Sequence, residues 1–192
     1  MYENVAINNV VKSHPSGFKI IDGGRRDTVT LHGRAIHLVS ERPDRVAFDL
    51  IVIEDDVFRV FSAPTQLEVK AQHPVQVMTG LLYAEPLKLG TIKLTKQALP
   101  KVAAAIVYDS NLEHITTAEC LQDSWRKLWE LSRQLKTKSL YVPLLGAMHS
   151  SLPTEILLEA FISHLPADGT EEIWLQISEE MSVLLGQILE AS

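Results

Sequence analysis

The stretch YVPLLGAMHSSLPTEILLEAF, from Tyr141 to Phe161, contains the change of pattern that decides the fold. An apolar, β-prone run ends at Gly146, a short polar segment follows, and Pro153 then opens an apolar pattern with helical spacing. Proline is tolerated in the first turn of a helix, where a missing N–H costs little. The stretch therefore predicts a strand, a tight turn and a helix, with Pro153 at the first helical position.

The alternation of strands and helices continues on both sides of this stretch. KVAAAIVYD (101–109) predicts a strand buried on both faces, because small and branched residues form a continuous apolar run. Thr116 and Glu119 have the spacing of a capping box at the start of the next helix. IWLQI (173–177) predicts another strand and MSVLLGQILE (181–190) a terminal helix. This order is typical of a mostly parallel sheet covered by helices. The apolar face of the helix after 116 consists of Leu121, Trp125, Leu128, Leu131 and Leu135.

The first third of the chain has the pattern of β-structure. Two acidic or glycine-rich steps, Asp22-Gly23-Gly24 and Glu54-Asp55-Asp56, are short enough to close hairpins, which favours an antiparallel ribbon or a sheet edge. We predict a single domain over 1–192, with a β-rich N-terminal extension at 1–45 and an α/β core at 46–192. HPVQVMTGLLYAEP (73–86) is interpreted as a short helix, with an irregular strand as the alternative. The predicted strands are FKII (18–21), TVTL (28–31), AIHLV (35–39), VAFDLIVI (46–53) and VFRVF (57–61).

The composition excludes several classes of function. A chain of 192 residues with 46% hydrophobic content can bury one sizeable core. The net charge is -6 and the 18 Lys and Arg residues are scattered, so we predict no nucleic-acid partner. The single cysteine, the absence of a signal-like N-terminus and the lack of a long apolar run predict a cytoplasmic protein without a membrane partner.

The histidines and the cysteine do not form a recognisable reactive motif. None of the seven histidines has an i, i+4 partner on a helix or a CxxC companion, so we predict no metal and no cofactor. Cys120 lies near a helix start, which favours thiolate, but no catalytic signature surrounds it, and packing is the simpler interpretation.

With this element order established, the second half of the chain resembles the macro domain family, α/β/α modules that bind ADP-ribose and in some members hydrolyse it from proteins. The similarity covers roughly residues 72–190 and is carried by the order and spacing of the elements. It implies a three-layer α/β/α fold with a mixed sheet, to which the β-rich N-terminal portion is added. The similar stretches are LGTIKLTKQALPKVAAAIVYD (89–109), LQDSWRKLWELSRQL (121–135), SLYVPLLG (139–146), LPTEILLEAF (152–161) and EEIWLQI (171–177).

The chain departs from the family at two ligand-binding motifs. Typical members have three glycines in the loop after the proline-bearing strand, and the backbone N–H groups of that loop wrap a diphosphate. At the matching spacing this chain has Gly146, Met148 and Ser151. The resemblance also implies an Asn-Ala-Ala-Asn-like strand end before the first helix. We assign this strand end to VFRVFSAPTQLEVKAQ (57–72), which contains neither asparagine nor glycine.

The loop is nevertheless the predicted binding site, because a loop that leads into a helix N-terminus offers unpaired N–H donors and a favourable dipole. In the alternative interpretation a serine only satisfies the helix start, the histidine is solvated and Met148 packs over a closed loop. A nucleophilic serine is not supported, since GAMHSS lacks the Gly-x-Ser-x-Gly elbow. The predicted ligand-binding residues are Gly146, Ala147, Met148, His149, Ser150 and Ser151.

Three functional hypotheses follow from the resemblance. We predict a noncatalytic module that binds ADP-ribose or another nucleotide or phosphorylated small molecule. An ADP-ribosyl hydrolase is the enzyme alternative, and it lacks the family's asparagine in the assigned segment. The third hypothesis is a macro-fold scaffold that has lost ligand binding and acts in protein interaction or self-association, for example as a homodimer.

Overall fold

The computed structural model of the protein describes residues 27–44, 46–59, 75, 79–80, 85–109, 116–170 and 172–191. The backbone of these residues alternates between strand and helix after residue 100, as the sequence pattern predicts. In chain order the strands and helices are β1 (Asp27–Leu31), β2 (Arg34–Val39), β3 (Leu50–Asp56), β4 (Thr91–Lys96), β5 (Lys101–Tyr108), α1 (Ala118–Leu135), β6 (Ser139–Pro143), α2 (Thr154–His164), β7 (Glu172–Gln176) and α3 (Glu179–Ala191).

The strands form one mixed sheet in the order β1-β2-β7-β6-β3-β5-β4. Strands β2, β7, β6, β3 and β5 run parallel to one another, while β1 and β4 pair antiparallel at the two edges. The last residues of the five parallel strands therefore lie along one edge of the sheet, which is called the carboxyl edge below. In sheets of this kind, ligands bind at this edge.

The sheet is buried on both faces. Leu140 and Val142 of β6 belong to the large core cluster that includes residues of α1 and α2. Tyr141, between them, belongs to a smaller cluster with Phe48 and Trp174. Neighbouring residues of a strand point to opposite faces, so these two clusters lie on opposite sides of the sheet. Burial on both sides explains why the central strands are continuous apolar runs in the sequence.

The β-rich N-terminal portion contributes two strands to this same sheet. A two-residue turn at His32 and Gly33, with φ values of 50° and 78°, connects β1 to β2. Two consecutive left-handed residues are typical of the hairpin turn that matches the twist of a β-ribbon. Because β2 pairs in parallel with β7, residues 27–39 extend the sheet. The boundary at residue 45 stays a prediction, and the runs at 18–21 and 22–24 lie outside the described residues.

The hairpin predicted at Glu54-Asp55-Asp56 is wrong. These are the last three residues of β3, they pair with β5, and their side chains are at most 8% exposed. An acidic triplet suggests a solvated turn, but here hydrogen bonds allow the carboxylates to be buried. Glu54 accepts from Tyr108 and Gly146, whereas Asp55 and Asp56 accept from backbone N–H groups one and two residues further along the chain. Val57 and Phe58, predicted to begin the next strand, form a turn instead, and residues 60–61 lie outside the described residues.

The helix starts differ from the predictions by one residue. Thr117 is the N-cap of α1, since its hydroxyl accepts a hydrogen bond from the Cys120 N–H at 3.1 Å. Thr116, the predicted cap, instead donates its hydroxyl hydrogen to the Val107 carbonyl at 2.8 Å. Pro153 is the residue before the first helical residue of α2. Cys120 is buried, which raises the pKa of its thiol, as expected of a packed cysteine.

The structure describes five residues of the segment 73–86, which was predicted to be a helix. Of the described residues within the helix predicted at 73–86, Val75, Thr79 and Gly80 are helical, whereas Glu85 and Pro86 are not. In the described ranges, no helix is both long enough and apolar enough to cross a bilayer.

A pair of valine substitutions tests this core. Val142 is fully buried in β6, whereas Val183 on α3 is 60% exposed. Val142→Ala should lower the free energy of unfolding by about 2 kcal/mol or more, because two methyl groups leave a packed core. Val183→Ala should change it by less than about 0.5 kcal/mol. Equal effects of the two substitutions in urea unfolding would contradict the assigned packing.

Candidate functional site

The loop between β6 and α2 begins at the carboxyl edge and is compact. Leu144 and Leu145 are fully buried and anchor its first residues. The Ala147 N–H donates to the Leu144 carbonyl at 3.0 Å, and the Ser150 N–H donates to the Gly146 carbonyl at 3.0 Å. These two successive turns lead the chain into α2.

Gly146 is required at its position for two reasons. Its φ of +91° lies in the left-handed region that L side chains rarely adopt. A Cβ at this position would lie 3.1 Å from Leu157 Cδ2 and 3.3 Å from Leu121 Cδ2, so α1 and α2 press closely on the loop backbone. The glycine at the end of the apolar run is thus explained by packing as well as by the turn.

The loop holds the carboxylate of Glu54, which reaches it from the end of β3. The Gly146 N–H donates a hydrogen bond to Glu54 Oε1 at 2.7 Å, the short distance typical of a charge-assisted bond. The N–H groups of Ala147 and Met148 also interact with this carboxylate and favour its charged form. Gly146 therefore donates directly to this acidic side chain, and the next two backbone N–H groups favour its charge from nearby. These three donors, the N–H groups of residues 146–148, are called the anion cradle below.

Tyr108, the last residue of β5, fixes the other end of the Glu54 carboxylate. Its hydroxyl donates to Glu54 Oε2 and accepts a hydrogen bond from the His149 N–H at 3.1 Å. The rings of Tyr108 and His149 meet edge to face, with centroids 4.8 Å apart. Burial, followed by the neighbouring charge of Glu54, raises the pKa of the Tyr108 hydroxyl, so the tyrosine acts as a neutral donor.

Burial raises the pKa of the Glu54 carboxyl from its ordinary value of 4.5 to about 7. The hydrogen bonds from Tyr108 and from the cradle favour the charged form, and they limit the rise without cancelling it. The carboxyl group therefore changes its charge near neutral pH. A perturbed acid beside a groove at the carboxyl edge is a feature of functional sites.

A groove of about 570 Å³ lies beside the cradle at the carboxyl edge. The Tyr141 hydroxyl donates to Gln176 Oε1 at 2.7 Å, which fixes two side chains of the wall. Arg42 and Asp44 add one basic and one acidic side chain to the lining of the groove. The groove is lined by Arg42, Asp44, Ile51, Val52, Ile53, Glu54, Tyr141, Pro143, Met148, His149 and Gln176.

The predicted site residues separate into three groups in the structure. Gly146, Ala147 and Met148 contribute the backbone of the cradle, and the side chains of Met148 and His149 line the groove. Met148 is 70% exposed, so it does not pack over a closed loop as the alternative interpretation proposes. Ser150 accepts a hydrogen bond from the Leu152 N–H at 2.9 Å, which is a local turn contact, and Ser151 is exposed.

Sequence reasoning did not find Glu54 or Tyr108. One of the two strands beside β6 is β3, which ends at Asp56, directly before the segment 57–72 to which we assigned the family's strand end. A charged residue directly after the apolar run LIVI was the available signal, since a strand buried on both faces has its polar groups at its end. Residues 60–72 lie outside the described residues. Among the described residues, no cluster of three or more His, Cys, Asp or Glu side chains is arranged to hold a metal ion.

Replacing Glu54 with glutamine should change how stability depends on pH. The carboxyl has a pKa of about 7 in the folded protein and an ordinary value of 4.5, so the folded state binds this proton more tightly. The resulting stability is fully present below pH 4.5 and is lost as the pH rises to about 7. At about 1.4 kcal/mol per pH unit, the loss is roughly 3 kcal/mol.

Urea unfolding at about pH 5 and about pH 8 measures this effect. Between the lower and the higher pH, the free energy of unfolding of wild type should fall by most of that amount. The Glu54→Gln variant lacks this titration, so it should not show this fall. Glu172→Gln is the matched control, because Glu172 is exposed and is the first residue of β7. It therefore lies at the amino-terminal ends of the parallel strands, opposite to the carboxyl edge. The same pH response in both variants would contradict the assignment.

The chain is similar to known proteins in structure, at low sequence identity. No protein-family model and no curated protein matches the sequence. An Oceanobacillus iheyensis macrodomain with MES bound superposes with a TM-score of 0.63 at 15% identity, covering 86% of this chain and 96% of that one. A mutant of the same macrodomain with ADPR gives 0.61 at 14% identity, covering 86% and 97%. A Trypanosoma brucei macrodomain in complex with ADP-ribose gives 0.54 at 13% identity, covering 80% and 68%. At these identities the likeness concerns the fold, and it confirms the predicted class: the chain has the α/β macrodomain fold with a mixed sheet.

Proposed function

We propose that this protein is a noncatalytic binding module for ADP-ribose or another nucleotide or phosphorylated ligand, which it holds in the groove at the carboxyl edge. The observation that carries the proposal is the hydrogen bond from the Gly146 N–H to the Glu54 carboxylate, whose charged form the N–H groups of Ala147 and Met148 also favour. Backbone donors in this arrangement suit the oxygens of a phosphate group as well as those of a carboxylate. The groove of about 570 Å³ has the usual volume of a small-molecule site.

The position of the cradle and the fold both support this proposal. Ligands of open α/β sheets bind outside the carboxyl ends of the strands, where this groove lies. Solved structures with the same fold include a Trypanosoma brucei macrodomain in complex with ADP-ribose and an Oceanobacillus iheyensis macrodomain with ADP. In our proposal His149, Ser150 and Ser151 add polar side chains next to the cradle, and Arg42 adds a basic side chain from the lining of the groove.

The noncatalytic part of the proposal is supported by the state of Glu54. A general base must offer a lone pair to a water molecule or a substrate proton. Each Glu54 oxygen accepts one hydrogen bond, from Gly146 or from Tyr108, and the residue is only 8% exposed, so its remaining lone pairs have little access to water or substrate. This arrangement gives Glu54 an anchoring role in the loop.

Calorimetric titration of ADP-ribose, with ADP and AMP for comparison, tests the proposal. We expect a dissociation constant below about 1 mM for at least one of these ligands. Gly146→Ala should weaken binding about tenfold or more, because the new Cβ strains the left-handed backbone and displaces the cradle. Gly33→Ala is the matched control, since it places a Cβ at a similar φ of +78° in open space at the hairpin turn.

The outcomes separate this proposal from the scaffold alternative. Loss of binding in Gly146→Ala alone, with both variants folded, would support a site at the cradle. Equal losses in the two glycine variants would contradict it. No binding to wild-type protein would favour a scaffold in which Glu54 has closed the loop, and an oligomer found by analytical ultracentrifugation would then support self-association.

A further inference from the structure

We propose that the Glu54 side chain is a built-in competitor for the ligand of this groove: a phosphate group binds the anion cradle only when Glu54 is protonated and withdraws from it. This inference rests on the proposed function and names the residue that regulates the site. It makes ligand binding dependent on the uptake of a proton.

The geometry shows why the two acceptors compete. Glu54 Oε1 lies 2.7 Å from the Gly146 nitrogen, in front of the first donor of the cradle. A backbone N–H has one hydrogen and makes one strong hydrogen bond at a time. A phosphate oxygen at the same donor would have to occupy the volume that Oε1 now fills. Binding therefore requires the carboxyl group to move.

Glu54 is held in place from two sides. Tyr108 fixes Oε2, and the Tyr108 hydroxyl in turn accepts the His149 N–H at 3.1 Å. The competitor is thus attached to both ends of the segment 146–149, directly at Gly146 and through Tyr108 at His149. A ligand that displaces Glu54 must also replace the interactions that order this segment.

Charge strengthens the competition. A diphosphate brings two negative charges next to Glu54, and in a partly buried site like charges repel strongly. Protonation of Glu54 removes that repulsion and weakens its hold on the N–H donors. Because burial raises the pKa of this carboxyl to about 7, the change occurs near neutral pH. The other titratable or charged groups beside it are Asp55 and Asp56 on β3, Tyr108 on β5, His149 on the loop, and Arg42 and Asp44 on the β2–β3 connection.

The experiment is calorimetric titration of ADP-ribose into the full chain between about pH 6 and pH 9, in buffers with different enthalpies of ionisation. The buffer dependence of the heat counts the protons taken up per ligand bound. The diphosphate of ADP-ribose keeps both of its charges in this range, so an absorbed proton belongs to the protein. For wild type we expect uptake of about one proton near pH 8, and an affinity that falls about tenfold per pH unit above pH 7.

Three variants assign that proton. Glu54→Gln should take up no proton, bind with constant affinity across the range, and bind at least about tenfold tighter than wild type near pH 8. Glu172→Gln, which removes a charge at the opposite edge, should behave as wild type. His149→Gln should retain the proton uptake even where its affinity is lower, which separates Glu54 from the imidazole.

Each outcome decides the inference. Tighter, pH-independent binding by Glu54→Gln supports it, also where wild-type binding is too weak to measure. Wild-type binding without proton uptake, or uptake that disappears in His149→Gln and persists in Glu54→Gln, overturns the inference and leaves the proposed function standing. Absence of binding by both wild type and folded Glu54→Gln at millimolar ligand and every pH overturns both proposals.

Discussion

The parallel pairing of β2, β7, β6, β3 and β5 is the constraint on which the rest of this structure depends. Because the sheet is buried on both faces, the middles of these strands are apolar, and polar side chains are placed where the strands end. Parallel strands all end at the same edge. The carboxylate that ends the apolar run of β3 therefore meets the loop that follows β6, although Glu54 and Gly146 are 92 residues apart.

The contact between Glu54 and the loop supplies hydrogen-bond partners to both groups. A loop backbone pressed against α1 and α2 has N–H groups that require acceptors, and a buried carboxylate requires donors. The hydrogen bond from Gly146 to Glu54 meets part of both needs and stabilises this conformation of the loop. The raised pKa of the carboxyl shows that this exchange does not fully compensate for burial. A phosphate would need the same donors that stabilise the loop. The stability of the loop and the binding of a ligand therefore depend on the same N–H groups.

The elements that could be predicted from sequence are those whose pattern is local and long. KVAAAIVYD forms β5, and the stretch with the leucine and tryptophan spacing forms α1. The change of pattern at Gly146 lies in the turn between β6 and α2. The errors occur where two local choices are nearly equal. Thr116 and Thr117 are both suitable caps, and the Val107 carbonyl decides between them by engaging the first. The acidic residues after LIVI have the composition of a turn, yet pairing with β5 keeps them in a strand.

The sequence by itself determined the order of the elements, the α/β class and the position of a glycine-bearing loop before a helix, because these follow from apolar periodicity and from the backbone freedom of glycine. Only the tertiary structure decided what the loop donors hold. Which strands become neighbours depends on the packing of the whole chain, and β3 lies beside β6 although β4, β5 and α1, among the described elements, lie between them in sequence. The choice of Glu54 as the partner of Gly146 is a consequence of that adjacency, and no local pattern encodes it.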